Sequence, residues 1–300
     1  MNILSFDIGG TSIKYGVVEK GGIIVQKDSV KTPGADCKNA IPDLIINIFQ
    51  ELSRDHKISA IGISTAGLID SDKGIVTLSA NLPGYTGCKL KEKIEPKTGV
   101  KVFVENDANC AALGEMWKGA GKNSKFIVFL TLGTGVGGAC ILNEKLYKGF
   151  HGFAGEFARL AGTSDILEKK ERTDFLFDKT ASTSSLVNRY KKLTGQTING
   201  LDLMNKVKEK DAHALKVYDD FIDSLCGGLD TVVSLFDPEV IVVGGGISAQ
   251  GEFFFSHLNK VFQQYIPKGY EDVLIKKAML ENDAGVYGAT YICLHKDYVV

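Results

Sequence analysis

Apolar residues recur along the chain in two patterns, short runs typical of buried strands and longer stretches with helical spacing. The short runs predict strands at residues 3–8, 13–18 and 23–28, which would form a meander, and at 58–65, 100–105 and 240–243. Helical spacing predicts helices at 40–56, from Asp107 to about Trp117, at 184–193, at 212–236, from near Ser248 or Gln250, and at 284–295. This alternation predicts an α/β protein with a mixed sheet.

Two predicted strands run into clusters of glycine and then continue into a second strand. The first cluster is Asp7-Ile8-Gly9-Gly10-Thr11, and the second is Thr131-Leu132-Gly133-Thr134-Gly135-Val136-Gly137-Gly138. Each predicts a tight β-hairpin whose turn exposes backbone N–H groups, and such groups suit phosphate oxygens. Because the hairpins lie about half a chain apart, we expect two related lobes with a nucleotide between them.

The lobe boundaries follow from the absence of any proline-rich linker. We expect an N-terminal lobe over residues 1–117, with the C-terminal helix 285–300 packing back on it, and a C-terminal lobe over 118–284. A close-packed hinge is predicted near 115–125, where Gly119, Gly121 and Asn123 cluster.

Composition excludes several classes of protein. A formal net charge of −1 over 300 residues gives no electrostatic basis for binding nucleic acid or an anionic membrane. The six cysteines are isolated from one another, so a zinc knuckle or redox pair is not expected. No stretch resembles a signal peptide or approaches the roughly 18 apolar residues of a spanning helix. We therefore expect a cytoplasmic protein.

Each candidate group of polar residues has a functional and a structural interpretation. Asp7 could hold Mg²⁺ through water, or could cap an ordinary hairpin turn. The cluster at 131–138 lacks a G-K-[ST] ending, which excludes a helical P-loop and leaves a phosphate-binding hairpin or a glycine-rich bulge. The segment Asn106-Asp107 follows a strand and begins a helix. There Asp107 could be a general base, with the neighbouring Asn106 amide orienting the substrate, or it could be a helix N-cap, with Asn106 a turn residue.

Two further segments remain open in the same way. Glu156 follows a glycine-rich loop and could accept hydrogen bonds from a polyol, or could be an ordinary surface carboxylate. Gly244-Gly245-Gly246 follows a buried strand and could admit an adenine ring or ribose, or could form a tight strand-to-helix turn.

Taken together, these motifs resemble the ROK family of repressors and sugar kinases, within the actin-like ATPase superfamily. The two glycine clusters resemble its phosphate motifs, and residues 241–247 resemble its adenosine motif. Its sugar site is similar to Ala66-Gly67, Asn81-Leu82-Pro83-Gly84-Tyr85, Asn106-Asp107 and Gly155-Glu156. The resemblance covers nearly the whole chain and implies a two-lobed actin-like (ribonuclease H-like) fold with a nucleotide cleft.

The resemblance also implies an ATP- and Mg²⁺-dependent sugar 6-kinase, active as a homodimer. Asp107 would be the catalytic base, and the sugar would be bound by Ala66, Gly67, Asn81, Asn106, Asp107, Glu156 and Asp178. The nucleotide would be bound by Asp7, Gly9, Gly10, Thr11, Lys14, Thr131, Gly133, Thr134, Gly135, Gly137, Gly244, Gly245 and Gly246, with Mg²⁺ held by Asp7 through water.

The chain departs from the family pattern in two places. Arg159 stands where many members have histidine, and no cysteine follows through Phe177, so we expect no zinc. Asp178 stands where a sugar-binding glutamate is expected. This pattern resembles the β-glucoside kinases of the family, which act on disaccharides such as cellobiose.

Other functions stay open at this point. Glucose and N-acetylmannosamine are alternative acceptors. A non-catalytic sugar-sensing regulator is a different class of function, disfavoured because the first phosphate motif starts at Phe6 and leaves no room for a DNA-binding domain before it. A filament or chaperone ATPase is disfavoured by the sugar-site motifs.

Overall fold

The computed structural model describes residues 1–161, 176–295 and 297–300. Its strands are β1 Asn2–Ile8, β2 Ser12–Glu19, β3 Ile24–Lys31, β4 Ile58–Thr65, β5 Leu68–Asp70, β6 Ile75–Leu78, β7 Cys88–Lys89, β8 Lys101–Asn106, β9 Ile127–Leu132, β10 Val136–Leu142, β11 Lys145–Tyr147, β12 Val240–Gly244 and β13 Leu274–Lys277. Its helices are α1 Cys37–Leu52, α2 Leu90–Thr98, α3 Asp107–Lys118, α4 Phe177–Ala181, α5 Thr183–Thr194, α6 Gly200–Lys208, α7 Ala212–Phe236, α8 Glu252–Tyr265 and α9 Ala284–Leu294.

These elements fall into two units. The first unit comprises residues 1–123, 140–154 and 279–300, and the second comprises 124–139 and 155–278. The lobe boundaries inferred from the sequence alone, at 117/118, stay predictions. Within the described ranges, no helix is both long enough and apolar enough to cross a bilayer.

The main sheet of the first unit has the strand order β3-β2-β1-β4-β8. Strands β1, β2 and β3 form the predicted antiparallel meander, whereas β1, β4 and β8 run parallel. In this register Ile8 pairs with Thr65, and Thr65 pairs with Asn106. Because the carboxyl ends of parallel strands meet at one edge, the residues that follow these three strands lie close together, where α/β proteins bind ligands.

The second five-stranded sheet has the order β11-β10-β9-β12-β13. Strands β9, β12 and β13 run parallel, and Gly244 at the end of β12 pairs with Thr131 in β9. The side chains of β9 and β12 are almost entirely buried, as expected for parallel strands covered on both faces, whereas the edge strand β13 buries only Ile275. This register brings the triple glycine next to the second hairpin.

Helix α9 packs on α3 in the first unit at backbone distance. A Cβ atom at Gly288 would overlap the carbonyl group of Cys110, and one at Gly114 would overlap the carbonyl of Ala284. Only residues without a side chain allow this approach. Helix α9 also contacts the first strand, since the hydroxyls of Thr290 in α9 and Ser5 in β1 share a buried hydrogen bond of 2.7 Å.

The carboxylate of Glu115, fully buried near the end of α3, binds the backbone of two segments that are far apart in the sequence. It accepts hydrogen bonds from the backbone N–H groups of Ala120 at 2.7 Å, Met279 at 3.1 Å and Leu280 at 2.8 Å. The chain first leaves the first unit after 123, comes back for 140–154, and returns for the last time at 279. Three N–H donors satisfy a buried carboxylate that would otherwise be strongly destabilising.

The predicted mixed α/β pattern is confirmed, with differences in detail. Strand 58–65 and helix 212–236 coincide with β4 and α7, but residues 246–250 form a 3₁₀ turn, and α8 begins only at Glu252. Sequence analysis missed α2, α4, α6, β11, β13 and the small sheet β5-β6-β7. Helix α2 buries only Leu90 and Ile94 and contains a proline, so its apolar periodicity is weak.

The contact between α3 and α9 predicts the effect of one added methyl group. Gly288→Ala should lower stability by about 2 kcal/mol or more, because neither backbone can move away without disturbing the core. Gly21→Ala is the matched control, since a Cβ there meets no atom within 4 Å. Thermal unfolding followed by circular dichroism compares the two, and equal melting temperatures would contradict the packing argument.

Candidate active site

Asp7 lies at the end of β1, next to the end of β4. Its Oδ1 accepts a 2.8 Å hydrogen bond from the Ser64 hydroxyl, and Lys14 Nζ lies 3.9 Å from its Oδ2. Burial raises the pKa of Asp7, and the Ser64 and Lys14 contacts only partly oppose that rise. Sequence analysis missed Ser64, although its place at the end of a buried strand just before Ala66-Gly67 was a usable signal. Lys14 also donates to Asn282 Oδ1 at 2.9 Å.

Hydrogen bonds from neighbouring residues fix the backbone of the first glycine turn. Gly9 donates its N–H to Ser12 O at 3.1 Å, and Thr32 bonds to Gly9 O at 2.7 Å and to Thr11 O at 3.1 Å. The Gly9 N–H is therefore not exposed, contrary to a simple interpretation of the hairpin. Among the described residues, the N–H groups of Gly10 and Thr11 donate to no protein acceptor. Two adjacent free N–H groups suit an anionic oxygen.

The segment from Asn81 to Tyr85 lies beside this turn. The carbonyl of Asn81 would be 3.8 Å from a Cβ placed on Gly10, so the two backbones are neighbours. Leu82 and Tyr85 are buried and anchor the segment, while Asn81 is exposed. The predicted sugar motif and the first phosphate motif thus meet within the first unit.

Asn106, not Asp107, is the N-cap of α3. Its Oδ1 accepts from the N–H groups of Ala108 at 2.9 Å and Asn109 at 3.1 Å. Its Nδ2 donates to Gly67 O at 2.9 Å and to Asp107 Oδ1 at 3.0 Å. The sequence left open a capping role for Asp107, but the structure gives that role to Asn106. Asp107 is the first residue of the helix, and Asn106 orients its carboxyl group.

The environment of Asp107 raises its pKa. Desolvation by surrounding protein atoms is the main cause, although part of the residue stays accessible to solvent, and the nearby negative charge of Asp7 adds to it. Hydrogen bonds from Ala108 N–H and Asn106 oppose the rise. A carboxylate that is accessible, oriented and more basic than usual is suited to accept a proton.

The second glycine turn, in the second unit, is held in a comparable way. Gly133 donates to Gly135 O at 2.9 Å, and Val136 donates to Asp178 Oδ1 at 2.8 Å. Within the ranges described, the N–H groups of Thr134 and Gly135 have no protein acceptor. Asp178 therefore supports this turn, and its predicted contact with sugar stays a prediction.

The triple glycine packs against the same turn. Gly245 has φ 88° and approaches the backbone of Leu132 so closely that a side chain would not fit. Gly246, Gly133 and Thr134 line one cavity of about 480 Å³. Thr183 also lines it, and its buried hydroxyl has no hydrogen-bond partner. A buried hydroxyl without a partner calls for an explanation, and a polar ligand such as a nucleoside in the adjacent cavity would supply one.

Glu156 lies on a turn of the second unit that is anchored by Phe157. The Phe157 ring is buried, packs edge-on against Phe236 at 5.7 Å between centroids and lies close to Gly138. Partial burial raises the pKa of Glu156, and the neighbouring charge of Arg159 lowers it. Only a glycine fits at 155, which has φ 90° and lies against Ala139.

The structure thus groups the predicted residues within each unit. The first unit brings together Asp7, Gly9, Gly10, Thr11, Lys14, Ala66, Gly67, Asn81, Asn106 and Asp107 near the ends of β1, β4 and β8. The second unit contains Thr131, Gly133, Thr134, Gly135, Gly137, Glu156, Asp178, Gly244, Gly245 and Gly246. No group of three or more His, Cys, Asp or Glu side chains in the described part of the chain could hold a metal ion. Much of the segment compared with the zinc loop, residues 162–175, lies outside the described residues.

Comparison with known proteins connects these features to a family. Residues 3–296 match the ROK family. The chain belongs to the ROK family. It is 31% identical over 300 residues to a β-glucoside kinase of Listeria monocytogenes, covering 99% of both chains, and 31% identical over 313 residues to a glucokinase of Thermotoga maritima, covering 97% of both.

A solved structure extends the comparison to the fold. A ROK family glucokinase from Streptomyces griseus, in complex with glucose and AMPPNP, superimposes with a TM-score of 0.79 at 30% identity, covering 96% of this chain and 98% of that one. The predicted actin-like ATPase fold of this ROK protein is confirmed.

The unpaired hydroxyl of Thr183 gives a prediction about the 480 Å³ cavity. Thr183→Val should leave stability unchanged or slightly higher, because it removes a buried group without a partner. Affinity for an ATP analogue should fall by about 1 kcal/mol, the loss of one hydrogen bond.

Isothermal titration calorimetry measures this change. Thr194→Val is the matched control in the same helix, since its hydroxyl bonds to Tyr190 O and it does not line the cavity. Unchanged affinity in Thr183→Val would place the nucleoside elsewhere.

Proposed function

We propose that this chain transfers the γ-phosphoryl group of ATP to the 6-hydroxyl of a glucose unit, free or in a β-glucoside such as cellobiose. Sugar phosphorylation by an ATP-dependent kinase is the activity that the family and its relatives support. The observation that carries the proposal for this chain is the accessible carboxylate of Asp107, oriented by Asn106 at the start of α3.

In this mechanism Asp107 accepts the proton of the attacking hydroxyl. Asn106 holds the carboxylate through one oxygen, which leaves the other oxygen for the sugar. Phosphoryl transfer depends mainly on placing the attacking oxygen in line with the phosphorus and on neutralising charge. The base therefore needs only to be oriented so that it can accept the proton of the hydroxyl. We propose that Asn81, Glu156, and the backbone at Ala66 and Gly67 bind the other sugar hydroxyls.

Nucleotide binding is assigned to the two glycine turns. Free N–H groups at Gly10, Thr11, Thr134 and Gly135 would receive phosphate oxygens, and the cavity next to Gly246 would take the adenosine. Asp7 fits a Mg²⁺ ion held through water, because its carboxylate is repelled by Asp107 and only distantly paired with Lys14. Such an ion would neutralise charge on the phosphates during transfer.

The choice of acceptor depends on the relatives and on Asp178. One relative is named a β-glucoside kinase and another a glucokinase, and both are 31% identical to this chain. Asp178 is bound to the Val136 N–H, which supports a less tightly held anomeric end and therefore a β-glucoside. The ratio of kcat/KM for cellobiose to that for glucose, measured by ADP release, decides between the two, and N-acetylmannosamine belongs in the same panel.

A non-catalytic sugar sensor is the alternative from a different class. The oriented Asp107 and both free N–H pairs are present, and a sensor needs neither. We further propose that the protein acts in the cytoplasm as a homodimer.

The assignment of Asp107 predicts the behaviour of Asp107→Asn. The amide keeps the acceptor oxygen that binds Asn106 and the Ala108 N–H, but it cannot take up a proton. We expect kcat to fall by about 10²-fold or more with sugar affinity changed little. Steady-state kinetics and a direct sugar-binding measurement separate the two effects, and a near-normal kcat would refute the role of base.

The raised pKa of Asp107 predicts how kcat/KM depends on pH at the acid end of the range. The base acts when ionised, so kcat/KM should fall as pH decreases through a value above the ordinary aspartate pKa of about 3.9. The profile of folded protein, checked by circular dichroism at each pH, tests this. Activity that stays constant down to pH 4 would contradict it.

A further inference from the structure

The side chain of Glu105, a buried residue of the first unit, accepts five hydrogen bonds. Its Oε2 accepts hydrogen bonds from Ser71 Oγ at 2.8 Å, Lys148 Nζ at 2.8 Å and Tyr298 Oη at 3.2 Å. Lys148 also donates to Ser71 Oγ at 2.6 Å. These donors follow β5, β11 and α9, so three distant segments meet on one carboxylate oxygen.

The second oxygen of Glu105 faces the start of α3. Oε1 accepts from the backbone N–H of Asn106 at 2.8 Å and from Asn109 Nδ2 at 3.0 Å. Asn106 is the residue whose side chain orients Asp107. A chain of three direct contacts therefore links Lys148, Glu105, Asn106 and the proposed base.

The charges in this network balance within the protein. The side chains of Lys148 and Glu105 are 12% and 1% exposed, so water screens the pair little. Burial raises the pKa of Tyr298, which keeps its hydroxyl protonated and able to donate. Buried ion pairs add little to stability compared with apolar residues of the same volume, but losing one partner leaves an uncompensated charge. Stability is therefore a weak reason for this arrangement, and orientation is a better one.

We propose that Glu105, held by Lys148 and Tyr298, is a positioning residue that fixes Asn106 and through it the carboxylate of Asp107. The proposal rests on the proposed function, because Asp107 must be the base for its position to matter. Glu105 and Lys148 act without touching the sugar or the nucleotide. Their loss should therefore lower kcat while KM for the sugar stays nearly constant.

The first variant is Lys148→Met, which keeps an unbranched side chain one atom shorter than lysine and removes the charge. Glu105 is then a buried carboxylate that keeps its neutral hydrogen-bond donors, including the Asn106 N–H, but has no positive charge beside it. We expect kcat to fall by roughly 10- to 100-fold, as for other small displacements of a reacting group, with KM for the sugar within about threefold.

Rescue in a double variant distinguishes positioning from general damage. In Glu105→Gln/Lys148→Met the charge is gone from both sides. The glutamine oxygen can still accept from Asn106 N–H, and its amide can donate to the oxygens of Ser71 or Tyr298. We expect kcat of the double variant to be about tenfold higher than kcat of Lys148→Met. Tyr298→Phe, which removes one hydrogen bond and no charge, should lower kcat by about two- to fivefold.

Two control variants separate this effect from charge removal and from loss of stability. Lys89→Met removes an exposed ion pair of the same 2.8 Å length, with Glu92, and should leave kcat unchanged. Ile45→Ala makes a cavity in the core beneath α1 and should lower the melting temperature without lowering kcat at 25 °C. A kcat of Lys148→Met within twofold of wild type, or failure of the double variant to recover, would overturn the proposal.

A measurement that does not use activity completes the test. Amide hydrogen exchange at Ala108 and Asn109 reports whether Asn106 still caps α3. We expect both amides to exchange faster in Lys148→Met than in wild type and Lys89→Met. If wild type phosphorylates no sugar, the proposed function fails. Unchanged exchange would instead overturn the positioning role, whatever the activity.

Discussion

The side chain of Asn106 is the constraint on which the rest of the candidate site depends. It uses both lone-pair directions of its oxygen to cap α3, and it uses both amide hydrogens to hold Gly67 and Asp107. A single amide thus joins the end of β4, the end of β8 and the first turn of a helix. Because every donor and acceptor of this amide is occupied, its orientation is fixed, and so is the oxygen of Asp107 that it contacts.

Two buried carboxylates on the segment formed by β8 and α3 are compensated by protein groups. Glu105 is compensated by Lys148 and four neutral donors, and Glu115 by three backbone N–H groups. At Asp7 and Asp107, desolvation raises the pKa of the carboxyl group. An incompletely compensated carboxylate is a general mark of a functional site, because the protein leaves charge there for a ligand or a proton.

Much of the fold was predictable because its strands and longest helices have strong periodicity. Strand 58–65 and helix 212–236 were placed at their observed bounds, and the two glycine hairpins were found from local composition. The missed elements are short or weakly amphipathic, and α2 is the clearest case, with two buried residues and a proline. Tertiary packing stabilises such segments, and that contribution has no local signal.

The sequence by itself determined which residues are candidates for chemistry, since side-chain type and glycine spacing are local properties. Asp107, Glu156 and the glycine turns were identified on that basis. Only the tertiary structure decided how these groups are arranged and charged. It showed that Asn106 caps the helix and that Asp178 supports a turn. It also showed that Ser64 bonds to Asp7, that Thr183 lines a cavity, and that Glu105 is bonded to Lys148 and Tyr298. The reason is physical: hydrogen bonds and desolvation depend on groups far apart in the chain, and the packing of α9 and the strands brings those groups together.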